Sequence, residues 1–359
     1  MRELQIGNLV VKLPIIQGGM GVGVSLSGLA GAVANEGSVG VISSAGLGLL
    51  YRSHSHDFPE ASIFGLKQEI AKAREKTKGI IGVNVMVAMS NFADMVKTSI
   101  QEKVDILFTC AGLPLDLPSY RKDPNGTKLV PIVSSGRAAN LICQKWKSTY
   151  NCFPDAIVVE GPKAGGHLGF KPDNIFDEHY CLENLVEEVC AVVRPIEAEH
   201  GVKIPVIAAG GIYTGEDIYK IMQHGADAVQ MGTRFVTSDE CDAAVEFKEA
   251  YIKSEEKDIE IIESPVGMPG RAILNNFLEK VKQGKKIPLN CPFQCIKTCD
   301  ISSSPYCIIT ALFNAFKGNL AGGYAFCGSN AFRATKIQSI QEIFSELKQE
   351  FRIAAKEGK

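Results

Sequence analysis

Eight short apolar runs, each followed by turn residues and then a helical pattern, punctuate residues 13–235 of this chain. They are LPIIQGG from Leu13, VGVISSAG from Val39, IIGVNVMV from Ile80, VDILFTCAG from Val104, LVPIVSSG from Leu129, PDAIVVEG from Pro154, PVIAAGG from Pro205 and DAVQMGTRF from Asp227. The runs are continuous rather than alternating, as strands buried on both faces must be. Amphipathic segments lie between them. SLSGLAGAVANEG reads as a helix with a Ser cap that ends at Gly37; NFADMVKTSIQEK and GEDIYKIMQHG read as later members of the series. Strand alternating with helix predicts a parallel sheet. Eight such units within residues 1–235 predict a closed (β/α)8 TIM barrel, an architecture that takes about 250 residues. A doubly wound open sheet is the alternative fold.

The pattern changes after the eighth run. DAAVEFKEAYIKS predicts a helix, IEIIESPVGMPGRAI an extended segment with turns, and SIQEIFSELKQEFRIAAKEG a closing helix. Residues 288–330 carry five cysteines and little periodicity. Residues 236–359 are therefore expected to be a helical, cysteine-rich appendage packed on a barrel of residues 1–235. Two connections inside the barrel are long, 45–79 and 162–204, and long βα loops are candidate lids or pocket walls.

Charge excludes some classes of function. The 38 basic and 40 acidic residues leave a net −2, with no dense basic cluster, so neither nucleic acid nor an anionic membrane is an expected partner. The start, MRELQIGNLVVKLPIIQGGM, has a Lys in its apolar stretch and is not read as a signal peptide. Leu26–Leu50 holds one charge, Glu36, yet its glycines and serines read as helix, turn and strand rather than as a membrane span. Eleven cysteines, an odd count, read as free thiols of a reducing cytoplasm.

Every glycine cluster falls at the C-terminal end of a predicted strand: QGGMGVG after the first, EGPKAGGHLG after the sixth, AGGIYTG after the seventh and QMGTRF in the eighth. Any one of these could be a tight turn. Four on one rim argue for a ligand, because barrels bind phosphate with the loops after strands seven and eight. Those loops hold Gly210-Gly211 and Gly232-Thr233. No strict GxGxxG and no P-loop occurs, so a separate dinucleotide domain is not expected. His167 sits between Gly165-Gly166 and Gly169. Glycines there strip side chains from around an imidazole, which is useful if a substrate must approach a group that titrates near neutrality.

The ordered set PIIQGGMGVGVSLSGLAGAVANEGSVGVISSAG, GVNVMV, EGPKAGGHLGF, PVIAAGGI and VQMGTRF resembles the nitronate monooxygenases, formerly 2-nitropropane dioxygenases, over roughly residues 8–280. The wider superfamily includes flavin-dependent enoyl-ACP reductase II enzymes and NAD(P)H:quinone reductases. The resemblance implies FMN above the barrel. It puts the backbone of Gly18, Gly19 and Met20 along the flavin ring, with Asn84 hydrogen-bonded to it. Glu160 and Gly165 fall beside the cofactor, and Gly210, Gly211, Gln230, Gly232 and Thr233 around its phosphate. His167 matches the family histidine that handles protons. The implied reaction is oxidation of an alkyl nitronate by oxygen to a carbonyl compound and nitrite. The alternatives are an NAD(P)H-dependent flavin reductase and, in another class, a phosphate-binding barrel without redox chemistry. A small-molecule substrate is expected, no metal is assigned, and a homodimer is left open.

The chain departs from its relatives in two places. Lys163 stands where many have Glu, and Glu160 where many have Gln. Lys163 could pair with Glu160, meet a substrate anion or be solvated. His54 and His56 form a His-x-His in a loop that reads as exposed and polar. In the tail, Cys291, Cys295 and Cys299 are spaced Cx3Cx3C, followed by Cys307 and Cys327. On a helix the first three would share a face. They read as packed or site-lining thiols, with Cys327 and Gly328 folding back towards substrate. The other six cysteines read as core residues of strands and helices.

Overall fold

The structure, a computed structural model, describes residues 1–285, 291 and 293–358. It opens with a hairpin, β1 (Leu4–Ile6) and β2 (Leu9–Val11), turned at Gly7-Asn8. Then follow β3 (Ile15–Gln17), β4 (Val39–Ser43), β5 (Ile80–Met86), β6 (Ile106–Cys110), β7 (Lys128–Val133) and β8 (Ile157–Glu160). A two-residue strand, β9 (Gly166–His167), precedes β10 (Val206–Ala209) and β11 (Ala228–Met231). β3 to β8, β10 and β11 are parallel and close into an eight-stranded barrel, with β10 bonded to both β8 and β11. Each of the eight predicted runs supplies one strand.

Side-chain alternation explains why the runs are continuously apolar. Ile16, Val41, Phe108, Val130, Val158 and Ile207 fill the barrel interior. Their neighbours Ile15, Ile42, Ile81, Leu107, Leu129, Val159 and Val206 pack outwards against the helices. Both faces are dry, and burying each such side chain contributes about 1.5–3 kcal/mol. Leu4, Ile6 and Val11 of the hairpin join the interior cluster at the N-terminal end of the barrel. That plug lies outside the eight-run reading, although Gly-Asn between two apolar runs is a hairpin signal.

Leu26–Leu50 is indeed helix, strand and helix, over Ser27–Asn35, Val39–Ser43 and Leu47–Leu50. Among the described residues no helix is long and apolar enough to cross a membrane. The expected Ser cap does not form. The N-cap is Leu26, and the Asp242 carboxylate accepts from the N–H groups of Leu26 (2.8 Å), Gly28 (3.0 Å) and Leu29 (3.1 Å). A partly buried carboxylate from beyond the eighth strand replaces a local hydroxyl, and it suits the positive end of a helix.

Beyond β11 come the helix Val245–Lys253 and an antiparallel pair, β12 (Ile259–Glu263) and β13 (Pro269–Ile273). β13 also pairs with β9, placing Gly270 opposite His167 and Arg271 opposite Gly166. The histidine loop is thus built into a three-stranded sheet whose other strands come from the tail. Ile308–Phe316 is helical inside the stretch that lacked periodicity. The last helix, Ile340–Glu357, starts with a Ser339/Glu342 capping box and lays Ile343, Phe344 and Leu347 on the barrel core.

Candidate active site

All eight barrel strands end at one cavity of about 500 Å³, within the range of small-molecule and cofactor sites. Its lining includes Gly18, Ser43, Asn84, Cys110, Val133, Glu160, Ala209 and Gln230, one residue at or close to the C-terminal end of each strand. Every expected site residue is on this wall: His167, Gly18, Gly19, Met20, Asn84, Glu160, Gly165, Gly210, Gly211, Gln230, Gly232 and Thr233. The rim of a barrel brings them together because parallel strands place all their C-terminal ends on one side.

His167 is half-buried, its Nε2 2.8 Å from Ser264 Oγ and its ring edge-on to Phe326 at 5.0 Å. Burial lowers its pKa to about 4, so the imidazole is neutral at physiological pH. Among the described residues its Nδ1 has no hydrogen-bond partner. In the tautomer that donates Nε2–H to Ser264, Nδ1 carries the basic lone pair. Glu160 is only partly exposed at the end of β8, and burial pushes its carboxyl up to about 7. Asn84 packs so closely on Gly19 that a Cβ there would overlap it. The Asn84 Oδ1 accepts from Cys110 Sγ at 3.2 Å. Burial pushes the Cys110 thiol up to about 12, which keeps it protonated.

The tail roofs this wall. Gly328 N–H donates to Thr233 Oγ1 (3.0 Å), Ser329 N–H to the Lys163 carbonyl (3.1 Å) and Asn330 Nδ2 to the Gly211 carbonyl (2.7 Å). Cys327 and Gly328 therefore do fold back over the cavity. The glycine at 165 is required by this roof: a Cβ would stand 2.6 Å from the Cys327 carbonyl carbon and 2.7 Å from Gly328 N. Gly165→Ala is expected to cost about 1–3 kcal/mol as an overpacked contact. The readouts are a lowered Tm and faster proteolysis within 326–330; an unchanged Tm would show that the roof yields freely.

Arg271, buried under the same loop, donates Nη1 to the carbonyls of Pro162 and Ala164, both at 2.6 Å. Ser264, Arg271, Phe326 and Asn330 are site residues that pattern reading missed. Only their contacts reveal them, since a lone Ser or Arg in a turn-rich stretch carries no periodic signal.

Of the remaining expectations, the exposed His54/His56 loop and a solvated Lys163 agree with the structure, whereas those for the cysteines need correcting. Among the described residues Lys163 makes no ion pair with Glu160; it is exposed, and its stem lies beside Gly211. His54 and His56 are exposed, and His54 stacks on Phe64 at 3.6 Å instead of meeting His56. Cys291–Cys299 forms no helix among the described residues, so helical spacing does not align those thiols. Of the six cysteines read as core, only Cys143 and Cys241 are buried, and Cys152, Cys181 and Cys241 lie outside strands and helices.

A family model for nitronate monooxygenase matches residues 2–350. The chain belongs to the nitronate monooxygenase family. It is accordingly an enzyme, an oxidoreductase. A probable nitronate monooxygenase from Staphylococcus saprophyticus is 27% identical over 298 residues, covering 77% of this chain and 80% of that one. FabK from Thermotoga maritima superposes with a TM-score of 0.74 at 28% identity, covering 97% of this chain and 95% of that one. A nitroalkane oxidase from Streptomyces ansochromogenes has a TM-score of 0.73 at 21% identity, covering 97% and 98%, a likeness of fold alone.

Proposed function

We propose that the chain is an FMN-dependent oxidoreductase that oxidises alkyl nitronates with oxygen to a carbonyl compound and nitrite. The observation that carries the reading is His167, a neutral base on the wall of a cavity into which every barrel strand opens. The donor set suits FMN. Asn84 and Gln230 offer amide groups at the strand ends, and Gly210-Gly211, Gly232-Thr233 and Ser329 line the side where a phosphate would lie. When bound, the flavin supplies the electron acceptance from substrate and the return of electrons to oxygen.

The chain supplies the rest. With a neutral nitroalkane, His167 removes the α-proton, its ring held by Ser264 and Phe326. Val22, Phe58, Met89, Ile309, Leu312 and Phe326 give the cavity apolar walls that exclude water and accept an alkyl chain. With a preformed nitronate no proton need leave carbon, and His167 is then not required as a base.

Anaerobic stopped-flow mixing tests the proposal. Propyl-2-nitronate should bleach the flavin band rapidly, and NADH or NADPH should not. Bleaching by NADH or NADPH alone would replace it with the second reading, an NAD(P)H-dependent reductase, which the likeness to FabK favours.

Glu160 adds a pH signature. Its carboxyl, raised to about 7 by burial, is neutral below that pH and charged above it. The activity profile should therefore change around pH 7 in the wild-type chain. Glu160→Gln should flatten that limb and hold activity at its acidic-side value throughout. A limb that persists in the variant would assign it elsewhere.

A further inference from the structure

Outside the active site, the chain gathers thiols at one place. Cys291, Cys295, Cys299 and Cys307 all line a second cavity of about 370 Å³. All four are free and partly buried. Their spacing is C-x3-C-x3-C-x7-C. The segment is fastened to the turn after β5: Ile296 bridges Met89, Ser90 N–H donates to the Cys295 carbonyl (3.1 Å), and Lys297 N–H donates to the Ala88 carbonyl (2.9 Å). Cys307 is the N-cap of the helix Ile308–Phe316. The two cavities adjoin, since Cys295, Ile296 and Ile308 line both.

Four thiolates are the ligand count of an all-cysteine zinc site and of a cubane or rhombic iron–sulfur cluster. The two differ in what they need from space. A zinc ion draws four sulfurs to about 2.3 Å from one point. Among the described residues no three His, Cys, Asp or Glu side chains are grouped to hold a metal ion. A cluster instead occupies volume and takes its ligands from around its faces, and the four cysteines line one cavity. We propose that Cys291, Cys295, Cys299 and Cys307 bind an iron–sulfur cluster next to the active-site cavity. The site stands apart from the flavin reading, and either can fail alone.

The test is elemental analysis of the full-length chain, expressed with added iron and purified without oxygen. Iron and acid-labile sulfide are expected in equal amounts, about two to four of each per chain, with a paramagnetic signal after dithionite reduction. The iron and sulfide determinations do not respond to flavin. Cys299→Ser and Cys307→Ser should each lose most of the iron, and Cys143→Ser, in a barrel helix, should keep it. Flavin content and circular dichroism distinguish loss of cluster from loss of fold. Since a variant could still unfold, the wild-type chain decides the matter. Zinc without sulfide would overturn the cluster in favour of a structural ion. No metal, with the four cysteines titrating as thiols or as disulfides, would overturn the site.

Discussion

His167→Ala is expected to lower kcat/KM for a neutral nitroalkane by about 10²–10⁴-fold, the usual contribution of a positioned general base. The flavin should stay bound, because His167 is not among the groups on the phosphate side of the cavity. The loss on a preformed nitronate should be much smaller, since that substrate has already given up its proton. Steady-state kinetics on the two substrates, with flavin content as the control, checks this difference. Equal losses on both would mean that His167 positions substrate and does not abstract a proton. The low pKa also sets the pH behaviour. Burial holds the folded imidazole at about 4, so the base form survives in acid well below the usual histidine range. The unfolded chain takes up that proton near its ordinary value of about 6.5. Between these two values the unfolded state binds more protons than the folded one, so His167 makes stability fall as pH drops through that window.

Arg271→Ala is expected to have the largest effect on the structure of the site. The guanidinium is 5% exposed and holds two carbonyls of the loop leading to His167. Burial lowers the pKa of this guanidinium from its ordinary value, yet an arginine stays charged at any physiological pH. Hydrogen bonds from a charged donor are worth about 1.5–3 kcal/mol each, and truncation also leaves the Pro162 and Ala164 carbonyls without this partner. The expected loss is about 3 kcal/mol, together with weaker flavin retention, because the loop carries Gly165 to His167. Thermal unfolding and flavin release on dilution measure the two effects. Arg271→Lys, which keeps the charge, should fall between wild type and Ala. Wild-type flavin affinity in Arg271→Ala would show that the β9–β13 pairing alone holds the loop.

The barrel and its glycine rim were legible in the chain because both are local. A strand buried on both faces must be apolar at consecutive positions, and a backbone that turns sharply into a helix favours glycine. Such rules need no knowledge of distant residues. His167 stood out for the same reason, as a titratable group among glycines at a strand end. The identity of its partner did not. Ser264 is 97 positions away, and Arg271 reaches the loop across 109 and 107. Nothing in the local pattern of SPVGMPGR marks a residue that bonds a distant histidine or anchors a loop. Likewise, the cap of the helix Ser27–Asn35 comes from Asp242 rather than from the serines beside it. By itself the sequence determined the eight strands, the rim and the place of His167 on it. The tertiary structure alone decided what roofs the cavity, what holds His167 and what requires Gly165 to be glycine. A hydroxyl, a guanidinium or a hydrogen atom in place of a side chain acquires its role only from the atoms that folding sets against it.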